Sequence, residues 1–301
     1  MIKNYIDEQV LYTQTKYDER VRNCKKIFIK GLANEVQPKT IAGKFAKQLM
    51  IDHTFMDQVI NELETRVKAK DGTTFEFKKT LPNKFEMIPI EEFEKNEKAY
   101  YDRLNKYYES RLETTKNIAD KETYLTKQID KFDNIEKYIT YYHHGMPWSK
   151  QKLSTYNSML FNVNLTRAGW NQTYKDSIIL DIDLMQFAMH PNSCPVCAEH
   201  QGITYSIHGT TKGYPSVDEA LADGVGHPNC KCEWILQWDE QIQVEQAPNT
   251  EEEYEFDQHQ KALERYKLDL ETDLELYSYI GNGEKVDKTL QKLDKIDQQL
   301  V

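Results

Sequence analysis

The sequence predicts a mainly α-helical protein in which long helices flank a small α+β module stapled by a metal ion. Three observations predict it. Four of the five cysteines fall in one window, as Cys194-Pro-Val-Cys197 and Cys230-Lys-Cys232. Elsewhere, apolar residues recur at helical spacing over stretches that lack Pro and Gly. Between residues 178 and 240 the composition shifts: this window holds four of the nine prolines, and β-branched runs appear in it.

Residues 1–148 read as an N-terminal helical region. Ile41, Phe45 and Leu49 fall at i, i+4 and i+8 after the break at Pro38. At 67–80 the pattern alternates around Asp71-Gly72, the signature of a small hairpin. Pro82 and Pro89 bracket a loop. From Glu91 to His144 there is neither Pro nor Gly. Leu125, Ile129, Phe132, Ile135 and Ile139 form a narrow stripe there, so the segment is one long helix or two stacked ones. Gly145, Met146 and Pro147 end it, and His143-His144 reads as a solvated helix end. Residues 149–177 form a helix leading into the module.

The module spans 178–240. Strands are expected at Ile178–Met189, Ile203–Ile207 and Glu233–Trp238. Ser216 followed by Glu219 is a capping box that opens a short helix. A C-terminal helical arm covers 248–301. Its acidic first turn suits the positive end of a helix dipole, and Gly281-Asn-Gly283 interrupts it. Val286, Leu290, Leu293, Ile296 and Leu300 form its last stripe.

Lys plus Arg number 39 against 49 Asp plus Glu, a net charge of −10. So acidic a chain is a poor wrapper of nucleic acid, and DNA contact is secondary at most. The 19 tyrosines suit helix seams that dock on partners while the hydroxyls stay wet. No apolar run is long enough to span a membrane, and the start lacks an apolar signal region. The cysteines are therefore expected reduced, which favours metal binding over disulfides. Cys24 stands alone as an ordinary, partly buried thiol.

Zinc takes four tetrahedral ligands, mostly thiolate and imidazole. The candidate ligands are Cys194, Cys197, Cys230 and Cys232, or three of these with His227, three residues before Cys230. The competing reading is buried thiols, with His227 ordering a turn. A closed four-ligand site leaves no position for water, so this zinc would be structural, and a module this small needs such a staple. The catalytic signatures are missing: there is no H-x-E upstream of the cysteines, no H-E-x-x-H and no phosphate-cradling loop. His190, His200 and His208 read as supporting or surface residues. No catalytic or cofactor-binding residue is assigned.

The stretch from Met189-His190-Pro-Asn-Ser-Cys194 to Cys197-Ala-Glu-His200-Gln201-Gly202, with Gly213-Tyr-Pro215 and His227-Pro-Asn-Cys230-Lys-Cys232, resembles the phage minor capsid protein 2 family. It shows kinship to Mu-type head-morphogenesis proteins of tailed bacteriophages. The resemblance covers roughly 150–270. Leu165-Thr-Arg-Ala-Gly-Trp-Asn and Leu263-Glu-Arg-Tyr-Lys resemble its flanking features more weakly. Lys231 stands where the family pattern often has Arg. The resemblance implies a virion component without enzymatic activity, present in few copies. It would dock on portal protein and major capsid protein, with scaffolding protein as a further partner, in head assembly, DNA packaging or ejection. Its place would be inside the head or at its portal vertex, with the host cytoplasm as its location during assembly. The alternatives are a zinc-dependent nuclease or hydrolase acting in packaging, and a host zinc-binding adaptor with coiled-coil arms.

Overall fold

The computed structural model describes residues 2–50, 56–63, 83–138, 142–143, 146–147, 152–188, 193–228, 230–237 and 250–300. Among them the chain is mainly helical, with a small three-stranded sheet. It divides into two compact units, each assembled from three separate segments. The first comprises Met1–Thr13, His53–Pro89 and Ser158–Phe256; the second comprises Gln14–Asp52, Ile90–Asn157 and Asp257–Val301. The expected hairpin at 67–80, and Ile139, His144 and His190, lie outside the described residues.

The first helices of the second unit are α1 (Ile2–Ala33, from residue 14 on), α2 (Pro38–Leu49), α4 (Ile90–Asn117) and α5 (Lys121–Lys131). Residues 56–63 of the first unit are helical and belong to α3. Pro38 opens α2, where its missing N–H has no partner to lose. The Asp120 side chain accepts the Thr123 N–H and caps α5. The Pro- and Gly-free segment is thus two helices, followed by a 3-10 turn at Phe132–Tyr138. His143 lies in a two-residue strand β1 (Tyr142–His143) paired with β2 (Met146–Pro147), not at the expected helix end.

The periodic stripes are buried: Ile41, Phe45 and Leu49 on α2, and Leu125, Ile129, Phe132 and Ile135. Phe28 stacks on Tyr107 and meets Tyr108 and Phe132 edge-on, with centroids 5.4–5.5 Å apart. The tyrosines depart from expectation, for Tyr17, Tyr100, Tyr108 and Tyr156 are core residues. Two of them bury their hydroxyls by pairing inside: Tyr108 donates to the Val36 carbonyl and Tyr17 to Glu97. Cys24 is fully buried rather than partly so, and burial pushes its thiol well up.

Helix α9 (Glu251–Ile280) begins in the first unit, where Thr250 and Glu253 form a reciprocal capping box. Within the second unit it runs parallel to α1, joined by a ladder of charges. Arg265 makes a forked contact to Asp18 (2.9 and 3.2 Å). Arg22 then meets Asp269, Lys25 meets Asp273, and Lys26 and Lys30 share Glu275. Asn34 donates to the Tyr279 hydroxyl at the far end. Helix α10 (Gly283–Asp297) folds back so that Leu293 and Ile296 cover Leu270. Thr289 is buried there while Leu290, expected in the stripe, is exposed.

The first unit is organised on α6 (Leu153–Leu180), of which residues 158–180 belong to it. The run Ile178-Ile-Leu180, expected to start a strand, closes this helix instead. Asp181 adopts a left-handed φ of 55° and the Ile182 N–H returns to the Ser177 carbonyl, a Schellman ending. Strand β3 (Leu184–Phe187) follows, central between β4 (Thr204–Ser206) and β5 (Trp234–Leu236), all antiparallel. Met185 and Phe187 face a core with Trp170, Tyr205, Trp234 and Leu236. Ser216 and Glu219 form the expected capping box on α8 (Val217–Ala222).

Candidate metal centre

The first ligand pair sits at the start of a four-residue helix, α7 (Pro195–Ala198). Cys194 is its N-cap: the sulfur accepts the Cys197 N–H at 3.4 Å and the carbonyl accepts the Ala198 N–H. Pro195 sets the first helical position without needing a hydrogen bond. Beyond it, Gly202 takes a φ of 76° and its N–H donates to the Phe187 carbonyl, which turns the chain into β4. The second pair lies on the loop between α8 and β5. There the Cys230 N–H donates to the His227 carbonyl at 2.8 Å, a tight turn that presents both side chains to one place.

The two pairs converge. Cys194 Sγ lies 2.8 Å and Cys197 Sγ 3.5 Å from His227 Nε2, and Cys197 Sγ lies 3.6 Å from Cys230 Sγ. The donor atoms form two overlapping triads that share Cys197: Cys194, Cys197 and His227, and Cys197, Cys230 and Cys232. The side carrying Cys197, Cys230 and Cys232 is buried in the apolar core, while Cys194 and His227 are half-buried.

The charges inside the cluster are divided. Hydrogen bonding from Cys197 outweighs burial and holds the Cys194 thiol down to about 4, with His227 helping. Cys230 is lowered in the same way, chiefly by Cys197 and then by Cys232. Cys197 is pushed up because its neighbours, Cys194 first, resist a further thiolate. His227 is raised by its bond to Cys194, against the pull of burial.

Two of the donor spacings match those of a tetrahedral ion. Zinc bonded to sulfur at about 2.3 Å and nitrogen at about 2.0 Å needs sulfur–sulfur edges of roughly 3.8 Å and sulfur–nitrogen edges of roughly 3.5 Å. The Cys197–Cys230 and Cys197–His227 spacings of 3.6 and 3.5 Å are close to these. Cys194 and His227, at 2.8 Å, are at hydrogen-bonding distance.

The residues around the centre are mostly not ligands. His200 is buried and its Nδ1 pairs with the Tyr205 hydroxyl at 2.7 Å. The His208 backbone N–H donates to Asp183. Asp183 also accepts the hydroxyls of Ser206, Thr210 and Thr211, and these bonds override burial to hold its carboxyl at about 2. Three residues that the ligand spacing does not announce are Asn162, Thr166 and Trp170 on α6. They donate to the carbonyls of Pro228 and Cys230, of Cys230, and of Cys232 respectively. Their i, i+4, i+8 spacing in a helix buried on all sides is the signal that could have found them.

Fold and site together define a mainly helical protein carrying a small thiol-rich α+β module. Residues 120–301, more than half of the chain, match the family described as Phage minor capsid protein 2, and the chain belongs to that family. The match begins upstream of the resemblance read from motifs and continues to the last residue. No curated protein and no solved structure matches. The family assigns the chain a structural role in the phage head, and so a place in the virion among other head proteins. No helix among the described residues is long and apolar enough to cross a membrane.

Proposed function

We propose that Cys194, Cys197 and Cys230, with Cys232 or His227 as the fourth ligand, hold a structural zinc ion. This ion would staple residues 178–240 into a rigid module of a non-enzymatic minor head protein. The convergence of two separate cysteine pairs into one largely buried cluster carries the reading. When bound, the ion supplies a cross-link between α7 and the β5 loop. The protein's own contribution is to bring the sulfurs together and to bury those of Cys197, Cys230 and Cys232 among Met185, Trp234 and their neighbours.

In this reading the stapled module and the helices flanking it dock on portal protein and the inner capsid, with scaffolding protein as a transient partner. The protein then acts at the portal vertex during assembly, packaging or ejection after arriving from the host cytoplasm. The acidic chain supports contact with protein before DNA. The test is its position in an assembled particle, read by cross-linking and by imaging of the portal vertex. Density or cross-links at the portal would uphold the reading; exclusive placement on the outer capsid surface would sink it. Chelator-sensitive DNA cleavage by the purified protein would replace it with the nuclease reading.

A further inference from the structure

One half of the cysteine cluster is fastened to α6 before any ion is considered. The loop Gly226–Cys232 carries His227, Cys230 and Cys232, and it meets α6 at four points. Asn162 Nδ2 donates to the Pro228 carbonyl at 3.3 Å and to the Cys230 carbonyl at 3.0 Å. Thr166 Oγ1 donates to the same Cys230 carbonyl at 2.8 Å. One turn further on, the Trp170 indole N–H donates to the Cys232 carbonyl at 2.8 Å. The Trp170 ring also closes the other end of the loop. Gly226 has a φ of +85°, and a Cβ there would lie 2.9 and 3.0 Å from two ring carbons. Trp170 thus holds both ends of the ligand loop, and Asn162 and Thr166 hold its middle.

These side chains hydrogen-bond to backbone carbonyls, not to the donor atoms. They fix the backbone from which the donors project, and all three are buried, with their donor groups spent on this loop. The first pair is held differently, with Cys194 and Cys197 set by the turn of α7. We infer that Asn162, Thr166 and Trp170 are positioning residues for the metal centre. They preorganise the Gly226–Cys232 half, so that α7 closes onto a loop already in place. The inference rests on the metal-binding reading above, and it adds that affinity for the ion is set in part by a helix that supplies no ligand.

The experiment uses the full chain with cobalt(II) as probe and a competing chelator. The variants are Trp170→Phe, which keeps the ring and loses the N–H; Thr166→Val and Thr166→Ser, which remove and keep the hydroxyl; and Gly226→Ala, which pushes on the ring from the loop side. Cys230→Ser is the control. The expected result is a loss of about tenfold or more in cobalt affinity for Trp170→Phe, Thr166→Val and Gly226→Ala, with Thr166→Ser near the parent value. A shifted d–d band should report altered geometry at the ion, which a general loss of stability would not produce. Far-UV circular dichroism of the metal-free variants would match the parent. Parental affinity and an unshifted band in Trp170→Phe and Thr166→Val would overturn the inference while leaving the metal centre standing. Absence of a thiolate-to-cobalt charge-transfer band in the parent, or a band of unchanged intensity and position in Cys230→Ser, would instead remove the metal-binding reading.

Discussion

Replacing Asn171 with Ala tests how the first unit holds the segment before α4. Asn171 is buried on α6, and its amide makes a matched pair with one residue: Oδ1 accepts the Phe85 N–H and Nδ2 donates to the Phe85 carbonyl, both at 2.8 Å. Asn164, seven residues earlier, does the same for Ile88 at 2.7 and 2.9 Å. The two asparagines therefore stand in for a neighbouring strand along 85–88. Asn171→Ala orphans one N–H and one C=O beside a 6%-exposed Phe85. Each buried orphan costs about 1–3 kcal/mol, and the pair about 2–4 kcal/mol once partial access to water is allowed. At 1.4 kcal/mol per factor of ten, this becomes a roughly 30- to 1,000-fold faster local opening. Hydrogen exchange at the Phe85 amide reads it directly. Asn164→Ala should act on Ile88 in the same way. Exchange at Phe85 in Asn171→Ala within about threefold of the parent would refute the argument, because it would show that these bonds do not carry the segment.

Three further outcomes are expected. Cys194→Ser should make residues 178–240 sensitive to limited proteolysis while the helical signal persists, and unchanged resistance there would end the staple idea. Asp18→Arg should destabilise the second unit by about 1–2 kcal/mol, and Asp18→Arg with Arg265→Asp should recover most of it; a urea-melt double-mutant cycle with no coupling would show that the forked pair is idle. The folded Asp183 carboxyl sits at about 2, below the roughly 3.9 of an unfolded aspartate, so its stabilisation is present above pH 4 and is lost as pH falls towards 2. Asp183→Asn should flatten that limb of an acid titration, and an unchanged acid limb would assign it to other groups.

The local signals were the legible ones. Ser216 and Glu219 announce their helix because a capping box is complete within four residues. The cysteine pairs announce a cluster because each knuckle is itself a local turn. The end of α6 was hidden because Ile178-Ile-Leu180 favours strands and Asp181 occupies a position where Gly usually marks the stop. The tyrosines misled because a hydroxyl reads as wet, whereas Tyr108 and Tyr17 find acceptors on distant segments. Asn162, Thr166, Asn164 and Asn171 carry no signal as ligands or caps. Their partners are backbone groups more than 60 residues away, which only the folded chain brings near.

The parallel ladder between α1 and α9 sets an order of events during synthesis. Asp18 and Arg265 are separated by 247 residues, and the second unit takes its last segment from Asp257–Val301. At about 5–20 residues per second, α1 waits roughly 10–50 s on the ribosome for the helix that matches its charges. Through that interval Arg22, Lys25, Lys26 and Lys30 stand without the α9 acids that later face them. The nascent chain thus carries a temporary band of positive charge until α9 emerges.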